Sequence, residues 1–358
     1  MKIRKGGKWL YFWTMGFSRL TNILITLIAV VFILSSMKNL LIPFVISLII
    51  WFIIRDIQTL ISKITLGSWS LPRWLSMTLS FLLIFSVLGG VVNLLVANIQ
   101  GISQVIPDYE KNLVEVRTMI DTSFGIDVMD KLRELSGDFD FAKLISSILN
   151  GLTAALGNTF LVIIYVIFLM LEESRFRPKL IAYYNDTERE RRAMGIISQV
   201  DESLGRYITL KSVVSLVTGL LSYIILLIIG VDFAFFWAFL IFLLNFIPNI
   251  GSLVATLFPA IIAALQFGDL TPSIWILVGV GSIQLLVGNF IEPRVMGDSL
   301  NVSSLVVILA LSFWGALWGV VGMFLSVPIT VMLVIIFAQF ESTKGVAILL
   351  SDKGNINR

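Results

Sequence analysis

Charged side chains are spaced so widely in this chain that most of its length can only lie inside a bilayer. Eight intervals between successive charges are long enough to hold a membrane helix, beginning at Arg19, Lys38, Arg73, Lys143, Lys211, Asp232, Asp269 and Asp298. A helix that crosses the hydrocarbon core needs about 20 apolar residues. Six of the intervals suit one helix each, but the runs from Asp232 to Asp269 and from Asp298 to Glu341 hold 36 and 42 uncharged residues. At about 1.5 Å per residue, 36 residues would extend roughly 54 Å, against about 30 Å of hydrocarbon. Both long runs must therefore fold back. Breakers stand where the reversals are needed: Pro248, Asn249 and Gly251 in the first run, and Gly315, Gly319 and Gly322 followed by Pro328 in the second. The expected fold is an all-α polytopic membrane protein of about eight membrane helices, with two Pro/Gly-broken hairpins in its C-terminal half.

Composition agrees and narrows the chemistry. Hydrophobic residues make up 57% of the chain and charged residues 14%, where soluble domains carry about 25% charged. Cys and His are both absent. That removes disulfides, thiolate catalysis, the usual zinc ligands and the ordinary proton carrier at neutral pH. Intramembrane serine and metal proteases need His in their usual forms, and Asp298 follows Arg294-Val295-Met296-Gly297 rather than the Gly-x-Gly that an aspartyl site requires. No Gly-x-x-x-x-Gly-Lys-Ser/Thr loop is present for a nucleotide. The chain is expected to be no enzyme and to need no cofactor and no metal; passive or ion-coupled movement of a solute, or a structural role, remains.

The basic residues sort by side of the membrane. With the N-terminus inside, 20 of the 26 Lys and Arg fall on the inner side, so the net charge of +3 reflects topology and gives nucleic-acid binding no support. Both termini are expected in the cytoplasm. Lys2, Arg4, Lys5 and Lys8 precede an apolar stretch, yet no small-x-small cleavage site follows. Trp9, Tyr11, Phe12 and Trp13 read as an interfacial belt leading into an uncleaved helix. The chain divides into N-terminal membrane helices at 1–98, an amphipathic helical extracytoplasmic segment at 99–150, and a membrane helix with a cytoplasmic helical segment at 151–211. A C-terminal transport core at 212–340 and a cytoplasmic tail at 341–358 follow.

The outer segment has apolar stripes at Leu113, Val116, Ile120 and Phe124 and at Ile126, Met129, Leu132 and Leu135. It reads as a helical cap continuing the third helix, resting on the membrane or on neighbouring subunits; the functional alternatives are a lid or a docking surface. On the inner side, Thr187 with Glu190 has the pattern of a capping box, and Met194, Ile197, Val200 and Leu204 form the apolar stripe of a surface helix. The charge run from Glu188 to Arg192 reads as a solvated face.

Broken helices expose backbone polar groups at depth, which is tolerated where they are buried in protein or line a wet cavity. Asn245, Asn249 and Ser252 flank the first break as candidate ligands for a solute or ion; the plain alternative is that Pro and Gly merely let helices pack closely. A second candidate region ends in Glu292, Pro293 and Arg294, after a helix carrying Gln284 and Asn289. Gln284, Gly288 and Glu292 step by four and so are expected on one face. An acid near the hydrocarbon boundary is costly unless paired or hydrated. Arg294 is its expected partner, unless it pairs with Asp298. If protons are moved, carboxylates must carry them, making Glu292, Asp232 and Asp269 the candidates; the last two also read simply as outer helix ends.

The stretches Phe246-Ile247-Pro248-Asn249-Ile250-Gly251-Ser252 and Glu292-Pro293-Arg294-Val295-Met296-Gly297, then Gly315, Gly319, Gly322 and Pro328, together resemble the autoinducer-2 exporter family of permeases. Tyr207, Gly230 and the layout of early helices, one large loop and a hydrophobic C-terminal half fit as well. The likeness spans essentially the whole chain, with specific motifs only after about Tyr207. One departure stands at Leu300-Asn301-Val302-Ser303-Ser304, where many relatives have a Pro. The resemblance implies an oligomeric transporter of the bacterial or archaeal cytoplasmic membrane. It implies export of a small solute such as a signal molecule in some members, and sodium (or lithium)/proton antiport in others. The partners expected are the lipid bilayer, a small solute or a monovalent cation or proton, and further copies of the chain; a non-transporting scaffold engaging an envelope partner is the reading from another class.

Overall fold

The computed structural model describes residues 21–124 except 23, 64, 67 and 68, then 157–183, 187–296 and 301–354 except 353. The belt at Trp9 to Trp13, the stripe from Ile126 to Leu135, and Asp298 lie outside the described residues. Within them the chain is helical, with one two-residue ribbon, so the all-α expectation holds. Six helices are long and apolar enough to cross a membrane, and two shorter apolar ones, Leu24–Ser36 and Ala234–Leu244, accompany them.

Helix α1 is Leu24–Ser36 and α2 is Lys38–Ser62. A tight ribbon of β1 (Thr65–Leu66) and β2 (Trp69–Ser70), paired antiparallel, leads to α3 (Arg73–Phe124). The 52 residues of α3 would measure about 78 Å, far beyond a hydrocarbon core of about 30 Å. Its apolar part is Arg73–Asn98, and the remainder projects as the expected continuation of the third helix. No break falls at the anticipated boundary between 98 and 99. Helix α4 is Thr159–Tyr183. Helix α5, Thr187–Ile229, carries Glu188 and Glu190 in its first turn, where the helix dipole favours acids. Arg191 pairs with Glu188 at 3.0 Å on a solvent-exposed face. The polar first part of α5 thus runs without interruption into its apolar second part.

The first long run folds back as expected. Helix α5 ends at Gly230, whose φ of 82° suits glycine, and the N–H of Val231 reaches back to Leu226 at 3.0 Å. Helix α6 (Ala234–Leu244) then turns through 245–249 into α7 (Ile250–Phe267). Helix α8 (Leu270–Leu286) starts on an Asp269 cap that accepts from the Thr271 N–H at 3.2 Å. It passes through a π-helical turn, Val287–Ile291, into α9 (Glu292–Met296). Helix α10 (Ser304–Ala338) is two arms joined at Gly319, whose φ of 63° and ψ of −143° are not helical. Helix α11 (Lys344–Leu350) closes the chain.

Two buried cores mark the two ends of the bundle, called outer and inner after the sides that the charge distribution leads one to expect. On the outer side, Leu95, Ile102 and Tyr109 of α3 pack against Leu226 of α5, Trp237 and Ile241 of α6, Ala263 of α7 and Ile276 of α8. On the inner side, Phe52 of α2 and Leu204, Tyr207 and Ile208 of α5 pack with Met296 and with Val327, Val331 and Ile335 of α10. Much of the remaining apolar surface faces outward, including Leu82, Leu216, Ile228 and Trp275, as lipid contact requires.

Candidate functional site

Helix α5 carries a buried polar stripe. Lys211, Ser215, Thr218 and Ser222 are each 3% exposed or less, and their steps of four, three and four keep them on one face of an α-helix. Thr218 Oγ1 donates to the Val214 carbonyl at 2.8 Å, and Ser215 Oγ accepts from Asn245 Nδ2 at 3.0 Å. At the inner end of the stripe Lys211 Nζ donates to the Glu292 carboxylate. An ammonium this deep persists charged only with a partner and further hydrogen bonds.

Glu292 is brought to Lys211 by the π turn. The inward positions are Ser273, Ile276, Val280 and Gln284 of α8 and Val287 at the start of the π turn, each buried. A regular helix would next turn inward at Phe290 or Ile291, yet these are 54% and 44% exposed. The Glu292 N–H instead bonds to the Val287 carbonyl, five residues back. That wider turn delays the inward position to Glu292, and the next one is Met296. The expected shared face of Gln284, Gly288 and Glu292 is corrected accordingly: Gln284 and Glu292 do face inward, but Gly288 and Asn289 are exposed. Arg294 is exposed too, so the partner of Glu292 is Lys211, from a helix 81 positions away.

The two hairpins close by the same device. A Cβ on Gly251 would stand 1.8 Å from the Leu244 carbonyl oxygen, and one on Gly322 1.9 Å from that of Trp314. Only glycine lets the returning arm come so close. Asn249 adopts a φ of 58° at the first tip, and a Cβ on Gly315 would meet Met323 at 3.0 Å across the second. Phe246, beside the first break, stacks at 4.5 Å between centroids on Phe324, just past the second. Helix α6 has 11 residues, about 16 Å, so its turn lies well short of a full crossing. Pro248 is half-buried and Asn249 exposed, whereas Asn245, Gly251 and Pro328 are buried. Ser252 donates to the Asn249 carbonyl at 2.9 Å, which ties it to the turn.

Ionic ties brace both ends. On the inner side Arg55 makes a paired contact to Asp201 at 2.5 and 2.9 Å and lies over the Trp51 ring at 4.8 Å. Glu173 accepts from Trp51 Nε1 at 3.3 Å and from Arg73 at 3.1 Å, so α2, α3, α4 and α5 share one network. On the outer side Tyr109 donates to Asp232 at 2.9 Å, and Asn112 donates to the Leu265 carbonyl at 2.7 Å. Burial, and then the Asp232 carboxylate, push the Tyr109 hydroxyl above the usual tyrosine range. Asp232 and Asp269 thus serve the outer helix ends. Among the described residues no group of three or more Asp or Glu is placed to hold a metal ion.

Lys211, Ser215, Thr218 and Ser222 are the site residues that sequence reading passed over. Lys211 looks like the charge that ends a membrane run, and hydroxyls in an apolar helix are common. Their helical spacing was the available signal.

Residues 21–342 match the model of the family described as AI-2E family transporter. The AI-2 transport protein TqsA of Escherichia coli K12 is 32% identical over 318 residues, covering 88% of this chain and 90% of that protein. A relative from Haemophilus influenzae is 34% identical over 342 residues, covering 92% and 96%. The transport-protein relative YrrI of Bacillus subtilis 168 is 26% identical over 319 residues, covering 85% and 87%.

Proposed function

The chain belongs to the AI-2E family of transporters, and on that premise we propose that it moves a small polar solute along the buried stripe of α5. In this reading the hairpin breaks at 245–252 and 315–328 line the middle of the pathway, and the Glu292–Lys211 pair governs its cytoplasmic end. The observation that carries it is the π turn, which turns a carboxylate away from lipid and onto a buried lysine at the end of a polar track. Polar and ionisable groups inside a membrane protein are costly and generally mark a pathway. The membrane is the bacterial cytoplasmic membrane, with both termini inside. The solute is a small signal molecule of the AI-2 kind, by extension from the Escherichia coli relative, and the assembly is a homo-oligomer.

The test is export from proteoliposomes loaded with AI-2, comparing the wild type with Glu292→Gln and Lys211→Met. Loss of flux in folded variants supports the reading, and unchanged flux in both removes the pair from it. The same vesicles with an internal pH dye and external sodium or lithium detect any cation-driven proton movement.

A further inference from the structure

Three buried polar atoms have no hydrogen-bond partner among the described residues: Ser222 Oγ, Trp237 Nε1 and Gln284 Nε2. Their residues are 0%, 1% and 6% exposed. Buried polar groups are almost always paired, because leaving one dry and unpaired is costly. Neighbouring hydroxyls follow that rule by donating to the carbonyl one turn back, as Thr218 does to Val214, Thr256 to Ser252 and Thr330 to Ser326. The three exceptions therefore call for an explanation.

Helix registers bring them to one level. Helices α5 and α6 run antiparallel, with Tyr223 meeting Phe235 at 6.3 Å, the Cβ position of Gly219 lying 3.2 Å from the Ala238 carbonyl, and Asn245 on Ser215 at 3.0 Å. Between those contacts Ser222 falls opposite Trp237. Helices α5 and α8 are likewise antiparallel, since the Cβ position of Gly279 lies 3.1 Å from Ile225 and Glu292 meets Lys211. Interpolation sets Gln284 against the turn of α5 between Thr218 and Ser222.

An indole N–H only donates, the free amide N–H₂ only donates, and the serine hydroxyl does either. None of the three is charged. The Lys211–Glu292 pair lies 11 residues along α5 from Ser222, about 16 Å. Among the described residues an anion would find no cation at this level, and a cation would meet two groups that can only donate.

We propose that Ser222, Trp237 and Gln284 form a binding site for a neutral solute bearing several acceptor oxygens, such as a small hydroxylated carbonyl compound or sugar. This rests on the pathway reading above and names the residues that select the solute within it. A bound solute would supply the acceptor oxygens that these donors do not find among the described residues.

The test uses the purified full chain with ribose as a neutral probe and sodium acetate and sodium chloride as charged controls, against Ser222→Ala, Trp237→Phe and Gln284→Met. Each substitution removes an unpaired polar atom and is expected to raise the melting temperature of the ligand-free protein by a few degrees. Ribose is expected to stabilise the wild type, and its half-saturating concentration to rise at least tenfold in each variant, with no specific effect of either salt. A ribose shift equal in wild type and variants, no shift in the wild type, or variants that melt lower would overturn the site. If those results accompany loss of AI-2 export in Glu292→Gln, the pathway stands and only the binding site falls.

Discussion

Lys211 on α5 and Glu292 after the π turn form an ion pair in which the lysine side chain is 4% exposed and the carboxylate 25%. Two charges separated by 81 residues of sequence thus sit at the inner end of a polar stripe, each dependent on the other.

Breaking one half of that pair leaves the other charge without its partner, partly buried in the case of Glu292. Lys211→Met is expected to lower stability by about 3–5 kcal/mol, whereas Lys211→Met with Glu292→Gln should recover most of it, because an ion pair and a well-packed neutral pair cost about the same to bury. Thermal unfolding in detergent compares the three proteins. A double variant no more stable than the single one would mean that the pair contributes packing that neutral groups do not replace.

The hairpin tips separate two roles of glycine. Gly251→Ala and Gly322→Ala put a methyl within 2 Å of a backbone carbonyl, by the 1.8 and 1.9 Å separations, and should abolish the monodisperse folded fraction in size-exclusion chromatography. Gly319 has nothing within 4 Å of its Cβ position but a φ of 63°, so Gly319→Ala meets only backbone strain, of order 1–3 kcal/mol. It should fold, with a lower melting temperature.

If the π turn serves to set the phase of the helix, removing its extra residue should be tolerated. Deleting Gly288, which is exposed and whose Cβ position has nothing within 4 Å, leaves Val287 and Glu292 one ordinary turn apart. The deletion variant is expected to retain the Lys211 ion pair and a melting temperature close to wild type. A protein that fails to fold would show that the turn's own hydrogen bonding is required.

At the outer end, Tyr109→Phe removes a hydrogen bond to a carboxylate and should cost about 1.5–3 kcal/mol. Faster hydrogen exchange in the projecting part of α3 would report it. The Tyr109 hydroxyl is held above its ordinary range by burial and by Asp232. Its contribution is therefore complete below the unfolded tyrosine value of about 10 and fades only as pH rises through the higher folded value. The difference between variant and wild type should stay constant from pH 6 to 9.

Charge spacing was sufficient to mark most of the long apolar helices, because the cost of a charge in hydrocarbon is local and can be counted along a line. The lengths of the runs, set against the thickness of a membrane, required the two reversals, and Pro248 and the glycines showed where they occur. Gln284 was legible as an inward residue from its helical spacing, whereas Glu292 reaches that face through the π turn. Sequence could not supply the pairing of Glu292 with Lys211, because Arg294 was closer along the chain and helical phase was counted without a π turn. One extra residue in a turn rotates everything after it, and the energy that favours it comes from a partner on another helix. The spans and their breaks follow from the sequence alone, since bilayer and backbone impose them on each segment separately. Which polar groups meet inside the bundle was decided by the tertiary structure, because that depends on how the segments pack on one another.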